Sequence, residues 1–202
     1  AGGSVGWGWQ GEEEYRSQFV GMGKVFGQVG EKLVDFIVAR IVEQAQLFID
    51  IKSASEWASA SSKDSPNEYM QRLITELIAP AFDTLRLGPD VGMAVLAPKV
   101  VTGVIKTLLA HLLKMKARIS RQAAKRLQLD IEYMENWVQT SQVVPPSQRK
   151  ALMELAIFTK CRHVLALLLP PKLLPDQISS CPLADKHTWV ARRSRTKRGL
   201  FC

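Results

Sequence analysis

Apolar residues recur every three or four positions from Tyr15 onward: Tyr15, Phe19, Met22, Phe26, Val29, Leu33 and Phe36. That spacing is helical. Shifted by one position, it continues through Ile37, Ile41, Ala45, Phe48 and Ile51. Gly21, Gly23, Gly27 and Gly30 lie in the first part of this run, and each costs about 1 kcal/mol relative to alanine inside a helix. The pattern therefore predicts a firm helix over residues 31–52 and a weaker one before it. The glycine-rich opening, residues 1–11, is predicted to be disordered.

A serine-rich connection, SASEWASASSKDSPN, follows. Its end reads as a helix start, with Ser65 as N-cap, Pro66 at the first helical position and Glu68 closing a capping box. Pro80 is expected to break that helix after Ala79, and Leu87-Gly88-Pro89-Asp90 to form a turn. Residues 99–139 read as one long helix, broken at most once. Val143-Val144-Pro145-Pro146 ends it, and Ser147 can cap a last helix running to about Leu169, stopped by Pro170-Pro171. Alternating strand patterns with Asn-Gly or Asp-Gly turns are missing. The expected fold is all-α, an antiparallel helical bundle or rod end over 12–170, with an irregular basic tail over 171–202.

Charge changes the picture because it is uneven. The chain carries 27 Lys or Arg against 19 Asp or Glu, a net charge of +8. Residues 1–90 are acidic on balance, whereas 91–129 hold basic residues and no acid. The densest stretch is Lys114–Arg126, KMKARISRQAAKR. On a continuous helix at about 100° per residue, Lys114, Arg118, Arg121 and Lys125 fall within about 60° of one another. Ile105, Leu109, Leu112, Ile119, Ala123 and Leu127 fall opposite. The first reading of this ridge is the solvated face of an amphipathic helix.

That reading leaves the missing acids unexplained, because like charges three or four apart repel. An acidic protein partner or the acidic N-terminal half would offset the repulsion, as would an anionic membrane surface. Nucleic acid ranks last, since no aromatics interleave with the ridge for base stacking. Asp130 falls on the apolar side, where an unpaired acid is costly. Arg126, four residues earlier, is its expected structural ion-pair partner. A second basic cluster, Arg192, Arg193, Arg195, Lys197 and Arg198, closes the chain. It reads as an incidental tail, a nuclear import signal or a tether to an anionic surface.

Catalytic chemistry finds little support. Gly21-Met-Gly23-Lys-Val-Phe-Gly27 lacks the strand, the spacing and the Lys-Ser/Thr ending of a phosphate loop. Cys161 and His163 point about 200° apart on a helix and cannot pair. His111 reads as a surface residue, and no zinc-ligand spacing exists. The expectation is a non-enzymatic protein without metal or cofactor. Three widely spaced cysteines, Cys161, Cys181 and Cys202, suit a reducing compartment, hence a cytoplasmic or, if the tail is an import signal, a nuclear protein. The most apolar window, 91–113, carries Lys99 and Lys106, each costing about 2.5–3.5 kcal/mol near the centre of a bilayer. It is therefore not expected to span one. Because the chain opens on Ala1, the reading is of the C-terminal part of a larger helical protein.

Two segments carry a family resemblance: LQLDIEYMENWV, and after a short linker VPPSQRKALMELAIFTKCRHVLALLL. A helix containing Leu-x-x-Asp and ending in Trp, then a Pro-marked turn and a Leu-rich helix, resembles the C-terminal helices of the coiled-coil protein 142 family. The matching positions are Asp130, Trp137, Pro145 and the run 165–169, and the likeness extends over about the last two-thirds of the chain before Pro170. More remotely it is similar to the terminal bundles of vesicle-tethering subunits such as those of exocyst. The resemblance implies an all-helical scaffold that works by protein contacts, with a tethering role as the finer expectation.

Overall fold

The structure, a computed structural model, describes residues 10–50, 65–86, 90–115, 118–169 and 182–193. The chain divides into two units, residues 1–37 and residues 38–202. Among the described residues all regular structure is helical. Helix α1 runs Gln10–Asp50, so it begins well before the firm helix expected from residue 31, and the four glycines do not interrupt it. The predicted disordered start lies outside the described residues except Gln10 and Gly11, which are helical.

In the first unit, every described side chain from Val20 to Leu33 is exposed. This length of helix buries nothing of its own.

The second unit is built around α4 (Asp90–Lys114). Its apolar residues are buried nearly all round, including Ala97, Val100, Val101, Val104, Ile105, Leu108 and Leu112. Met93–Lys114 is long and apolar enough to cross a membrane, but half of that surface is already covered by the bundle. Pro98 sits inside this helix without ending it. The end of α1 packs on α4 at Gly103, where an added Cβ would lie 2.5 Å from Val42 Cγ2. Asp50, the last residue of α1, pairs with His111 Nδ1 of α4 at 2.8 Å. His111 is thus a half-buried contact residue rather than the surface residue expected.

The segment before α4 forms one helical run with three parts: α2 (Glu68–Arg72), a π-helical stretch Leu73–Ile78, and α3 (Ala79–Arg86). Pro80 does not break it. A proline inside an α-helix lacks an N–H and clashes with the carbonyl four residues back. The wider π turn shifts that register, and the Ala79 amide reaches back five residues to the Ile74 carbonyl. The N-cap is Asn67 rather than Ser65, and its side chain makes no capping bond. The expected turn at 87–90 falls, but for Asp90, outside the described residues.

The long helix expected over 99–139 is two helices. Helix α4 stops at Lys114, and α5 spans Arg121–Thr140. Ser120 caps α5 by accepting from the Ala123 amide at 3.1 Å. The Ile119 amide donates instead to the Arg192 carbonyl at 2.8 Å, and Ile119 pairs with Arg193 in an isolated parallel bridge.

After Val144, α6 (Pro146–Met153) begins on Pro145 as N-cap, not on Ser147. Leu155 turns extended, and α7 (Ala156–Leu168) follows. Helix α5 packs on both α6 and α7, and α4 touches the same two helices. The tail expected to be irregular contains α8 (Lys186–Arg192). It packs on α7 and buries Trp189 completely.

Candidate functional site

Three features could carry function: a buried polar knot, a set of basic residues near the α4–α5 link, and the exposed face of α1.

The knot centres on Asp130 of α5, which is fully buried. Its carboxylate accepts from the Asn67 amide at 2.6 Å, from Asn67 Nδ2 at 2.6 Å and from the Tyr69 hydroxyl at 2.7 Å. Burial pushes the Tyr69 phenol well above its usual range, and the Asp130 charge adds to this while Arg126 opposes it. Asp130 therefore fastens the start of α2 to α5. Pairing Asp130 with Arg126 overlooked Asn67 and Tyr69, because partners more than sixty residues away in sequence are invisible to a helical wheel. Arg126 keeps its Nε buried with no hydrogen-bond partner. With its donors and acceptor all buried, the knot reads as structural.

The basic residues are rearranged relative to the helical wheel. Because α4 and α5 are separate, Lys114, Arg118, Arg121 and Lys125 do not form one ridge. Lys114 ends α4, Arg118 lies in the link, and only Arg121 and Lys125 share a helix. All four are exposed, and among the described residues none forms an ion pair.

What the structure does bring together is Arg118 of that set and Arg192 of the basic tail. They line a cavity of about 460 Å³ with His187, Thr188 and Ala191. Arg192 is held in place, since its Nη2 donates to the Leu113 carbonyl at 2.7 Å. Arg193 lies beside it in the bridge to Ile119. Arg195, Lys197 and Arg198 lie outside the described residues. His187 and Thr188 carried no signal in the sequence, because α8 has too few residues for periodicity to be read.

The third feature is the face of α1. Met22, Phe26, Val29, Leu33 and Phe36 are spaced alternately by four and three, and all are between 53% and 68% exposed. This is the heptad spacing of a coiled-coil seam. Val20 and Val25 beside it are also exposed.

Cys161 is buried, and burial pushes its thiol up to about 12. Among the described residues no group of three His, Cys, Asp or Glu is placed to hold a metal ion.

The fold and these surfaces define an all-α protein module, a helical bundle unit preceded by a helix with an open apolar seam. A family profile described as coiled-coil protein 142 matches residues 51–191. The chain belongs to the coiled-coil protein 142 family. No curated protein and no solved structure matches it, so the remoter likeness to vesicle-tethering subunits gains no support. The seam of α1 lies before the matched region.

Proposed function

We propose that this protein is a non-enzymatic scaffold that works through helix–helix contact, and that the seam of α1 is taken by the same helix of a second copy. The observation that carries the reading is the exposure of five heptad-spaced apolar residues, Met22, Phe26, Val29, Leu33 and Phe36. Contiguous exposed apolar surface of this kind marks an interaction site.

Magnitudes favour a like helix as occupant. Fully burying a large apolar side chain is worth about 1.5–3 kcal/mol. These residues are already partly covered, so each would gain about 1–2 kcal/mol. Two copies contribute ten such residues, roughly 10–20 kcal/mol, against an association cost of about 4–15 kcal/mol. A partner without its own seam would bring only half the gain. The flanks also permit self-pairing: the positions bordering the seam include Gly23, Val25, Gly30 and Lys32, with no run of like charges to hold two copies apart. Glycines there let two backbones approach closely.

The helix itself needs such help. Four glycines at about 1 kcal/mol each make an isolated stretch marginal. The alternative partner, an acidic helix lying along a basic ridge, loses its geometric basis because the ridge residues sit on different elements. In this reading the protein is cytoplasmic and has no reaction of its own to catalyse.

Sedimentation equilibrium tests it. The full chain should associate as a dimer whose fraction rises with concentration, and Phe26→Glu with Leu33→Glu should return it to monomer while the bundle keeps its thermal transition. A wild-type chain that stays monomeric up to about 100 μM, a limit weaker than any specific interface of useful affinity, would overturn the second-copy assignment.

A further inference from the structure

We infer that the cavity lined by Arg118, His187, Thr188, Ala191 and Arg192 binds a phosphate group carried on a small organic moiety. The site is separate from the α1 seam and does not depend on it.

The lining has the chemistry of an anion site. Two arginines line one cavity, with no carboxylate among the described lining residues. An arginine fork matches the oxygens of a phosphate in a way that a lysine does not. Arg192 is preorganised, because one of its five N–H groups is spent on the Leu113 carbonyl while the others remain for a ligand. Arg118 forms no ion pair with a described residue, so its charge is not neutralised within the protein. His187 and Thr188 add a ring nitrogen and a hydroxyl beside the two charges.

The position is built, not incidental. The Ile119 amide donates to the Arg192 carbonyl, and Trp189 on the other face of α8 is fully buried. Together these lock the helix that supplies four cavity residues against the link that supplies Arg118. At about 460 Å³ the cavity exceeds what a bare phosphate needs and falls within the size of small-molecule sites. A phosphomonoester or diphosphate with an attached group fills it better than the free ion. Nucleic-acid binding is disfavoured, because base-stacking sites use aromatic platforms and the large aromatic of α8, Trp189, is turned into the core. A lipid headgroup and a soluble organic phosphate would both meet this chemistry.

Isothermal titration of the full chain with pyrophosphate, alongside flotation with vesicles, tests the assignment. The vesicles are phosphatidylcholine carrying about 5% phosphatidylinositol bisphosphate, or phosphatidylserine at matched charge, so that headgroup recognition is separated from surface potential. Arg118→Ala should weaken binding about tenfold, the loss expected of one bidentate charge-assisted contact. Arg121→Ala removes an equally exposed cation outside the cavity and should weaken it less than about twofold, as befits a screened surface charge. Unchanged circular dichroism and Trp fluorescence establish that Arg118→Ala is folded. Binding to pyrophosphate alone would identify soluble phosphates as the source, and Arg118-dependent flotation with phosphatidylinositol bisphosphate would identify the headgroup. Absence of binding to both probes overturns the inference. So does equal weakening by the two substitutions, or equal flotation on phosphatidylserine, since each means diffuse attraction without a site.

Discussion

Removing the Asp130 carboxylate should be among the most damaging single changes in the bundle. In Asp130→Ala three donors lose their acceptor at once: the Asn67 amide, Asn67 Nδ2 and the Tyr69 hydroxyl. Both Asn67 and Tyr69 are buried, so water cannot freely replace the carboxylate. Each unsatisfied buried donor costs about 1–3 kcal/mol. Allowing for one water entering the space vacated, the net loss should be about 3–5 kcal/mol. Asp130→Asn keeps the shape and one acceptor oxygen, but turns an NH₂ toward donors. The Tyr69 hydroxyl can rotate to accept from it, whereas Asn67 Nδ2 cannot, which leaves about 1–3 kcal/mol of damage. Tyr69→Phe removes one of three donors and leaves the carboxylate with two, so it should cost about 1–2 kcal/mol. Urea unfolding followed by Trp fluorescence gives the order wild type, Tyr69→Phe, Asp130→Asn, Asp130→Ala, with equal m-values. In a unit of this size each kcal/mol should also lower Tm by about 2–4 °C. If Asp130→Ala lies within about 0.5 kcal/mol of wild type, the range of an ordinary surface change, the knot is not what joins α2 to α5.

Other expectations follow from single contacts. Gly103→Ala places a Cβ 2.5 Å from Val42 Cγ2 and should destabilise by about 1–3 kcal/mol as overpacking does; the double variant with Val42→Ala should recover most of that in the same urea assay. The Cys161 thiol, pushed up to about 12 by burial, should resist iodoacetamide at pH 8 in the native state and react only at the rate of unfolding, as read by mass spectrometry. Because burial and then Asp130 raise the Tyr69 phenol above its ordinary value of 10.0, the folded state holds that proton more tightly than the unfolded state. The corresponding stability is fully present below pH 10 and is lost as pH rises beyond it. The urea midpoint of wild type should therefore fall more steeply than that of Tyr69→Phe between pH 9 and pH 11.

Helical class and much of the core were legible in the chain because burial on a helix repeats every three to four residues. Ile105, Leu109, Leu112, Ile119, Ala123 and Leu127, which the wheel set opposite the basic residues, are all buried. The family resemblance, resting on Asp130, Trp137, Pro145 and the leucines after them, was legible for the same reason: it is a pattern of core spacings. The heptad of α1 was also visible, but its exposure was not. Periodicity says that a face is apolar, not that another element covers it.

The break between Lys114 and Arg121 was decided by tertiary structure. Nothing local forbids a continuous helix there, and the competing term is the pairing of the Ile119 amide with a carbonyl of Arg192, far along the chain. With the Ser120 cap starting a new helix, the basic residues sit on separate elements, and Arg118 lines a cavity with Arg192 instead. Pro80 shows the opposite case, a local breaker accommodated because a π turn gives its ring room while Leu73, Ile78 and Phe82 stay in the core. Asp130 lay on the apolar face by sequence alone, yet its partners came from Asn67 and Tyr69 across the bundle. By itself, the sequence determined which residues seek burial, because that preference belongs to each side chain and its helical spacing. Where helices stop and which charges meet depended on hydrogen bonds between distant residues, and only the folded arrangement places those donors and acceptors within reach.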